Sequence, residues 1–368
     1  KAIGQLPQEL AALGVRRPLL VTDRGIVAAG IAARVMVACG DDARPALFDA
    51  VTENPLFADA DAGAAVYQAQ RCDGVVALGG GSAIDTAKLI ALLATHPGRT
   101  ADYAGVPGAQ IGAAAPLVAI PTTAGTGSEA SPSAGLHPDA STPSVGINSR
   151  HLVPLLAVLD PDPTAPLPPR LAAATGIDAL SHCIEGYLSD RAQPLGKCIA
   201  LDGIARVTRN LRRAARPGAD AEARGEMMLA AFAGGVSIGM GLGPAHAIAL
   251  GCSDQGFHHG VLSGIGLVAT LDATAAKVPQ RMAAVHGALD LPQSVSTAQG
   301  VAMLMKDLGL PTTLAGLGYA AGDIDALAHA AARSHFNLSA PHKPSAAEYD
   351  AFLRQSLGLV TPAPEMQA

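Results

Sequence analysis

The sequence predicts an α/β N-terminal domain built on a parallel sheet, followed by an all-α C-terminal domain, and three observations predict it. In residues 1–160, short apolar segments alternate with amphipathic ones at the separations of strand–helix–strand units. A proline-rich stretch at residues 160–169 then breaks this pattern, and nearly every later segment has helical periodicity. The length of 368 residues also exceeds what one hydrophobic core usually supports. We therefore expect two domains, residues 1–162 and residues 163–368.

Each element of this prediction follows from a local pattern. Apolar segments bounded by turn-forming residues predict strands at 18–22, 46–51, 74–78, 117–120 and 155–159. Amphipathic spacing between them predicts helices at 31–39, 58–71 and 83–94. After the proline-rich stretch, the expected helices are 170–174, 178–189, 197–215, 221–233, 279–286, 297–308, 323–333 and 346–355.

Composition excludes several classes of protein. Charged residues make up only 15% of the chain and apolar residues 49%, which indicates a large aliphatic core rather than a disordered chain. The net charge of −6, without a long run of lysine or arginine, gives no surface suited to nucleic acid or an anionic membrane. Small-molecule chemistry is the remaining expectation.

Two further features bear on the expected location. Residues 227–252 carry no charged side chain and are long enough to span a bilayer, but several glycines and a proline interrupt them. We interpret this stretch as a buried pair of helices broken by glycine. The five cysteines form no CxxC pair, which predicts reduced thiols and a cytoplasmic protein.

Two loops rich in glycine and hydroxyl groups follow neighbouring predicted strands. The first, residues 79–85, leads from a strand into a helix, where backbone N–H groups and the helix dipole favour a phosphate. A tight turn capped by Ser82 is the alternative. The second, residues 121–129, offers hydroxyls suited to a cofactor's phosphate, ribose or carboxamide, or forms a plain Ser/Thr-rich turn.

Asp23, at the end of the first predicted strand, bears on the choice of cofactor. A carboxylate there accepts a hydrogen bond from a ribose 2′-hydroxyl and repels a 2′-phosphate, which favours NAD over NADP. A helix N-cap is the alternative role for Asp23. The neighbouring Arg24 leaves some tolerance for NADP.

A candidate metal site lies in the predicted helical domain. Asp178 and His182 are four residues apart, so they share a helical face and can reach one cation. A salt bridge or a capped core histidine would give the same pair. His246 in the charge-free stretch and His259 thirteen residues later favour the metal, since a histidine in apolar surroundings needs a partner. One aspartate and three histidines suit Fe²⁺ or Zn²⁺.

Five motifs together resemble the iron-dependent (group III) alcohol dehydrogenases: GGGSxxD, TTxGTGSE, GxDALxHxxExY, GxxHA and HHG, in this order along essentially the whole chain. The resemblance implies a Rossmann-like sheet, a helical domain of the dehydroquinate synthase-like architecture, a divalent metal between the domains and a homodimer. The implied metal ligands are Asp178, His182, His246 and His259, with Fe²⁺ favoured over Zn²⁺. The implied NAD contacts are Asp23, Asn54, Gly80, Gly81, Ser82, Asp85, Thr122, Thr123 and Thr126.

Two positions depart from the family pattern. Leu250 stands where members commonly carry a histidine near the nicotinamide, and residues 142–147 lack the lysine commonly found near the cofactor. Neither change affects the metal ligands, but both affect proton transfer and substrate preference. His258 is the nearest substitute for a catalytic proton carrier; a packed or solvent-facing histidine is the alternative.

These observations predict a metal-dependent, NAD(H)-linked enzyme that interconverts a small alcohol with an aldehyde or ketone. The alternatives are a maleylacetate-reductase-like enzyme, a lyase like the dehydroquinate synthases, and a catalytically silent nucleotide-binding protein. The complete ligand set argues against the first and the last. The lack of a basic cluster for a multiply anionic substrate argues against the lyase.

Overall fold

A computed structural model describes residues 2–40 and 43–359 of the chain. Residues 1, 41–42 and 360–368, the last of which end the expected second domain, lie outside the description. The described strands are β1 (Pro18–Val21), β2 (Ala46–Phe48), β3 (Gly74–Gly79), β4 (Leu117–Pro121), β5 (Ser133–Leu136), β6 (Val145–Asn148) and β7 (Leu156–Ala157).

Helices cover both faces of the sheet region and form almost all of the chain that follows it. In the first part they are α1 (Leu6–Ala12), α2 (Arg24–Ala28), α3 (Ile31–Ala38), α4 (Phe57–Ala69) and α5 (Gly81–Leu93). In the second part they are α6 (Pro169–Leu188), α7 (Pro194–Ala214), α8 (Ala221–Ile238), α9 (Pro244–Gly251), α10 (His259–Lys277), α11 (Pro279–Ala288), α12 (Thr297–Asp307), α13 (Leu314–Leu317), α14 (Ile324–Ala332) and α15 (Ala346–Ser356).

The main sheet is parallel, with strand order β2-β1-β3-β4-β7. From β1 the chain forms β2 on one side and then crosses to form β3 on the other side of β1, so the direction in which strands are added reverses between β1 and β3. Ligands of open parallel sheets bind at the carboxyl ends of strands beside such a reversal. The sequence missed the antiparallel pair β5–β6, whose short strands are separated by a loop rich in proline and serine.

Alternate residues of the strands feed two separate cores. Leu19 and Val21 of β1 pack with one buried cluster, whereas Leu20 between them packs with the other. The same alternation holds in β3 and β4, because successive side chains of a strand point to opposite faces. The fold class predicted from sequence is confirmed: an α/β part with a helix-covered parallel sheet precedes a helical part.

The helical part packs around α6, and the predicted break within it is wrong. The sequence predicted separate helices at 170–174 and 178–189, but α6 continues through Gly176. A Cβ on Gly176 would lie 2.2 Å from Leu211 Cδ1, so this glycine permits α7 to pack closely rather than ending the helix. Close packing outweighs the low helix propensity of glycine here.

The sequence also missed α10, for the same reason. Gly264 and Gly266 lower its helix propensity, yet both face neighbouring helices at distances that leave no room for a side chain. A Cβ on Gly266 would lie 2.4 Å from the Ala245 carbonyl oxygen of α9.

The charge-free stretch at 227–252 is the predicted pair of helices, formed by α8 and α9 with a glycine-rich turn between them. Across residues 2–40 and 43–359, no helix combines the length and apolar character needed to cross a membrane.

Candidate active site

One face of α6 carries three polar side chains in an otherwise apolar core. Asp178, His182 and Glu185 follow one another at spacings of four and three residues, so they line one side of the helix. Each is at most 5% exposed. Buried polar groups of this kind need partners inside the protein.

His246 comes from the first turns of α9 and joins two of these side chains. Potential ligand atoms of Asp178, His182 and His246 all lie within 4.8 Å of one another. The rings of His182 and His246 stack with their centroids 4.8 Å apart. Elements distant in sequence thus bring three of the four predicted ligands together.

The donor atoms of this group fit a divalent cation. His246 Nε2 is buried without a hydrogen-bond partner in the described structure, and His182 Nε2 lies 3.9 Å from Asp178 Oδ1. Leaving such atoms unpaired is unfavourable, and a cation is one partner that would satisfy imidazole lone pairs beside a carboxylate. Two histidines and one carboxylate also match the donor set of non-haem Fe²⁺ sites.

The electrostatics of the group favour the protonation states that a metal requires. Burial lowers the pKa of His182 to about 4, so the ring is neutral near pH 7. Burial also disfavours the ionised form of Asp178, but the neighbouring histidines outweigh this effect and lower the pKa of its carboxyl group. A neutral imidazole and an ionised carboxylate are both competent ligands.

His259 lies beside the compact group rather than within it. Its Nε2 is 3.9 Å from Asp178 Oδ1, and its ring centroid is 5.5 Å from that of His246. The His259 side chain is 48% exposed, whereas Asp178, His182 and His246 are buried. It therefore approaches from the solvent side of the site, at the first residue of α10.

His258 is the N-cap of α10, and its side chain is exposed. Its Nδ1 accepts a hydrogen bond from the Gly260 N–H at 3.1 Å. The neutral ring therefore carries its proton on Nε2, and uptake of a second proton at Nδ1 would break the cap.

Phe336 is a neighbour of the site that sequence reasoning missed. It lies in a short 3₁₀ helix, His335–Ser339, with its ring centroid 5.7 Å from that of His246. Its position depends on contacts between segments ninety residues apart, which no local pattern signals.

The first glycine-rich loop begins α5 at the carboxyl edge of the sheet. Gly80 is the N-cap residue, and no side chain caps the first turn. The alternative in which Ser82 caps the helix is wrong, because Ser82 Oγ instead donates to the Glu53 carbonyl oxygen at 2.6 Å. The amides of this turn thus remain suited to an anion.

The second loop packs directly against the first. A Cβ on Gly80 would lie 3.3 Å from Thr123 Cγ2, and one on Gly81 would lie 2.7 Å from Thr126 Cγ2. The Thr122 N–H donates to the Gly79 carbonyl oxygen at 2.9 Å. The structure therefore joins the predicted cofactor residues of both loops into one surface.

This surface reaches the helical part at α6. A Cβ on Gly125 would lie 2.5 Å from Thr175 Cβ, one helical turn before Asp178. Gly127, with φ of +63°, packs equally closely against Gly235 of α8. The second loop thus connects the edge of the sheet with the group of buried donors.

Asp23 and Asn54 flank the first loop. Asp23 Oδ1 caps α2 by accepting from the Ile26 N–H at 2.9 Å, so the alternative N-cap role is realised. Its Oδ2 faces Gly79, where an added Cβ would lie 3.6 Å away. Asn54 is exposed, next to the Glu53 carbonyl that binds Ser82.

Asp85 belongs to a polar cluster with Ser128, Lys88 and Glu129. Its Oδ1 accepts from Ser128 Oγ, and its Oδ2 accepts from the Gly135 N–H at 2.9 Å. Sequence reasoning missed the rest of this cluster, Lys88 and Glu129, which are 0% and 3% exposed. The one available signal was the spacing of Asp85 and Lys88 on one face of α5.

Lys88 ties the segment that follows the second loop to α5. Its Nζ donates to the carbonyl oxygens of Ser131 and Ser133, at 3.0 and 2.6 Å. Burial lowers the pKa of Lys88, although Asp85 and Glu129 oppose the shift. Burial raises the pKa of Glu129 to about 7.

Comparison with known sequences identifies relatives of the whole chain. Residues 1–161 match the family model "Iron-containing alcohol dehydrogenase", and residues 172–357 match "Fe-containing alcohol dehydrogenase family, C-terminal". A 4-hydroxybutyrate dehydrogenase from Cupriavidus necator is 41% identical over 369 aligned positions, which cover 97% of this chain and 96% of that protein.

Solved structures give the same result. A 1,3-propanediol oxidoreductase superposes with a TM-score of 0.90 at 30% identity, over 96% of this chain and 95% of its own. A sulfoacetaldehyde reductase from Bifidobacterium kashiwanohense, in complex with NAD⁺, superposes with a TM-score of 0.85 at 27% identity, over 96% of this chain and 94% of its own.

Proposed function

Because the chain belongs to the iron-containing alcohol dehydrogenase family and is an NAD-linked oxidoreductase acting on CH–OH groups, we propose that Asp178, His182, His246 and His259 bind its divalent metal. The observations that carry this assignment are the buried, unpaired His246 Nε2 and the grouping of potential ligand atoms of Asp178, His182 and His246 within 4.8 Å of one another. A divalent cation bound there would supply the Lewis acidity that stabilises an alkoxide and polarises a carbonyl. We favour Fe²⁺ over Zn²⁺ because the matching family is the iron-containing one and because two histidines with one carboxylate match the donor set of non-haem Fe²⁺ sites.

The two loops at the sheet edge bind NAD in this proposal. The uncapped first turn of α5, including Gly80, Gly81 and Ser82, donates N–H groups to the pyrophosphate. Asp23 directs its free Oδ2 to a ribose hydroxyl and thereby favours NAD over NADP. Asn54, Thr122, Thr123 and Thr126 surround the same surface, while Asp85 positions the second loop from behind through Ser128.

The reaction moves a hydride from the carbinol carbon of the alcohol to the nicotinamide, and the hydroxyl proton leaves for solvent. Asp178, His182 and His246 are buried, and the Phe336 ring packs beside His246, so an apolar side chain limits access of water to that part of the site. We assign the proton to His258, which takes it up at Nδ1 and releases the Gly260 hydrogen bond as it does so.

We propose a small primary alcohol as the substrate, and an ω-hydroxy acid as the first to test. The 41% identity to a 4-hydroxybutyrate dehydrogenase over almost the whole chain supports this choice. The experiment measures NADH formation with 4-hydroxybutyrate, 1,3-propanediol and ethanol, each with NAD⁺ and with NADP⁺. We expect the highest kcat/KM with 4-hydroxybutyrate and NAD⁺. Absence of turnover with every alcohol would refute the assigned function.

Three further assignments belong to this proposal. The domain boundary lies at 162/163, supported by the sheet ending at β7 and the helices beginning with α6.

The protein works in the cytoplasm, as its five free thiols suggest. It forms a homodimer, in line with the family resemblance. Light scattering after size-exclusion chromatography should then show a mass of about 74 kDa, and a mass near that of the 36.8 kDa monomer would contradict this assignment.

A further inference from the structure

Glu185 occupies a position that the proposed function does not explain. It lies on the same face of α6 as Asp178 and His182 and is 5% exposed. No lysine or arginine pairs with it among the described residues, and its side-chain partner there is His246. A buried carboxylate without a cationic partner needs several hydrogen-bond donors.

The donors come from the start of α9. Glu185 accepts from the backbone N–H groups of Gly243 at 2.9 Å and Ala245 at 2.8 Å. It also accepts from His246 Nδ1 at 2.6 Å. The carboxylate therefore fixes both the first turn of α9 and the ring that this turn carries.

The hydrogen bond determines which nitrogen of His246 is free. With its proton on Nδ1 and donated to Glu185, the neutral ring presents a lone pair at Nε2. That atom is buried and has no partner in the described structure. The adjacent His182 has no such support, because its Nδ1 is itself unpaired.

The glycine before α9 fits the same arrangement. A Cβ on Gly243 would lie 2.8 Å from Glu185 Oε1, so a side chain there would displace the carboxylate. The backbone of Gly243 is extended, with φ of −154°, and does not itself require glycine. The need to leave space for the Glu185 carboxylate therefore explains the glycine at position 243.

We infer that Glu185 is a positioning residue that sets metal affinity by holding His246 in the Nδ1-protonated form with Nε2 directed at the site. This inference rests on the proposed metal site. Carboxylates that orient a metal-binding histidine in this way contribute roughly 10–100-fold to metal affinity.

The test compares Zn²⁺ dissociation constants of the metal-stripped full chain, measured by competition with a chelator, for wild type and E185Q. We expect E185Q to bind roughly 10–100-fold more weakly. In an H246A background, the same change should alter affinity less than twofold, because Glu185 acts through His246. An equal loss in both backgrounds, or no loss in either, would overturn the inference.

A matched control and a second variant accompany the test. E348Q removes the charge from a similar glutamate–histidine hydrogen bond, between Glu348 at the start of α15 and His342, and should leave Zn²⁺ affinity unchanged. G243A keeps every charge but displaces the carboxylate, so it should also weaken binding; wild-type affinity in folded G243A counts against the inference. A wild type that binds no Zn²⁺ would refute the proposed site and this inference together.

Discussion

At the scale of one residue, the buried carboxylate of Asp178 shows why the proposed site favours a bound cation. Its carboxylate lies 3.9 Å from the Nε2 atoms of both His182 and His259. It is 3% exposed, and within residues 2–40 and 43–359 its ion-pair partners are histidines, with no lysine or arginine among them. A bound cation would compensate a negative charge buried in this way.

Replacing Asp178 with asparagine keeps the side-chain volume and removes the charge. We expect D178N to lose metal affinity by at least about 100-fold, since the loss of a ligand should exceed that of a residue behind it. Elemental analysis of the purified protein measures the effect. The control is D202N, an exposed aspartate of the adjacent α7, which should retain its metal; an unchanged metal content in D178N would exclude Asp178 as a ligand.

One substitution separates the N-cap role of His258 from its proposed role as proton carrier. Asparagine is a good N-cap, so H258N should preserve α10, but it cannot take up a proton. We expect kcat to fall at least about tenfold with metal content unchanged, because general acid–base groups contribute about 100-fold or more. Steady-state kinetics across pH provide the measurement. A kcat within twofold of wild type would leave His258 with the capping role alone.

At the scale of elements, the first glycine-rich loop packs so closely against the second that residue 81 has no room for a side chain. A methyl group at residue 81 would lie 2.7 Å from Thr126 Cγ2. G81A should therefore push the loops apart and raise the KM for NAD⁺, by roughly tenfold if one phosphate hydrogen bond of about 1.4 kcal/mol is lost. The control is G287A in α11, where the added methyl meets no atom within 4 Å; equal KM values for both variants would contradict the loop assignment.

The buried Glu129 should make stability depend on pH. Its pKa is raised by burial from 4.5 to about 7, so the folded state favours the protonated form. Its contribution is complete below pH 4.5 and is lost as pH rises through about 7. Relative to E129Q, the wild-type free energy of unfolding should fall across this window, by at most about 3 kcal/mol. Denaturant unfolding at a series of pH values measures it; a pH-independent difference would show that Glu129 does not titrate there.

Elements with a strong repeating pattern were predictable from sequence, whereas those shaped by packing were not. The strands β1 to β4 follow from apolar runs between turn residues, and both faces of the sheet are buried as expected. Two errors of the sequence prediction, the break within α6 and the failure to predict α10, have the same cause. Glycine marks a helix end locally, but in this chain Gly176 and Gly266 are needed where helices touch.

The candidate site was predictable in its membership but not in its geometry. Residue types and family motifs indicated Asp178, His182 and His246, which the fold brings together. Sequence could not show that Asp85 is engaged with Ser128, that His258 caps α10, or that Glu185 supports His246. Each of these depends on hydrogen-bond directions between elements that are distant in sequence.

At the scale of the whole molecule, the second loop couples the two parts of the chain. Its Ser128 donates to Asp85 of α5, and its glycines pack against α6 and α8. The surface proposed for NAD and the helix that carries Asp178 therefore share one rigid contact. Such sharing gives the cofactor and the metal site a defined relative position, which hydride transfer requires.

The most direct test of the account is the metal dependence of turnover. The protein is stripped of metal with a chelator, dialysed, and assayed for NADH formation with 4-hydroxybutyrate before and after anaerobic addition of Fe²⁺. We expect activity to be lost on stripping and restored by about one equivalent of Fe²⁺ per chain. Full activity in a preparation shown by elemental analysis to be free of metal would contradict it.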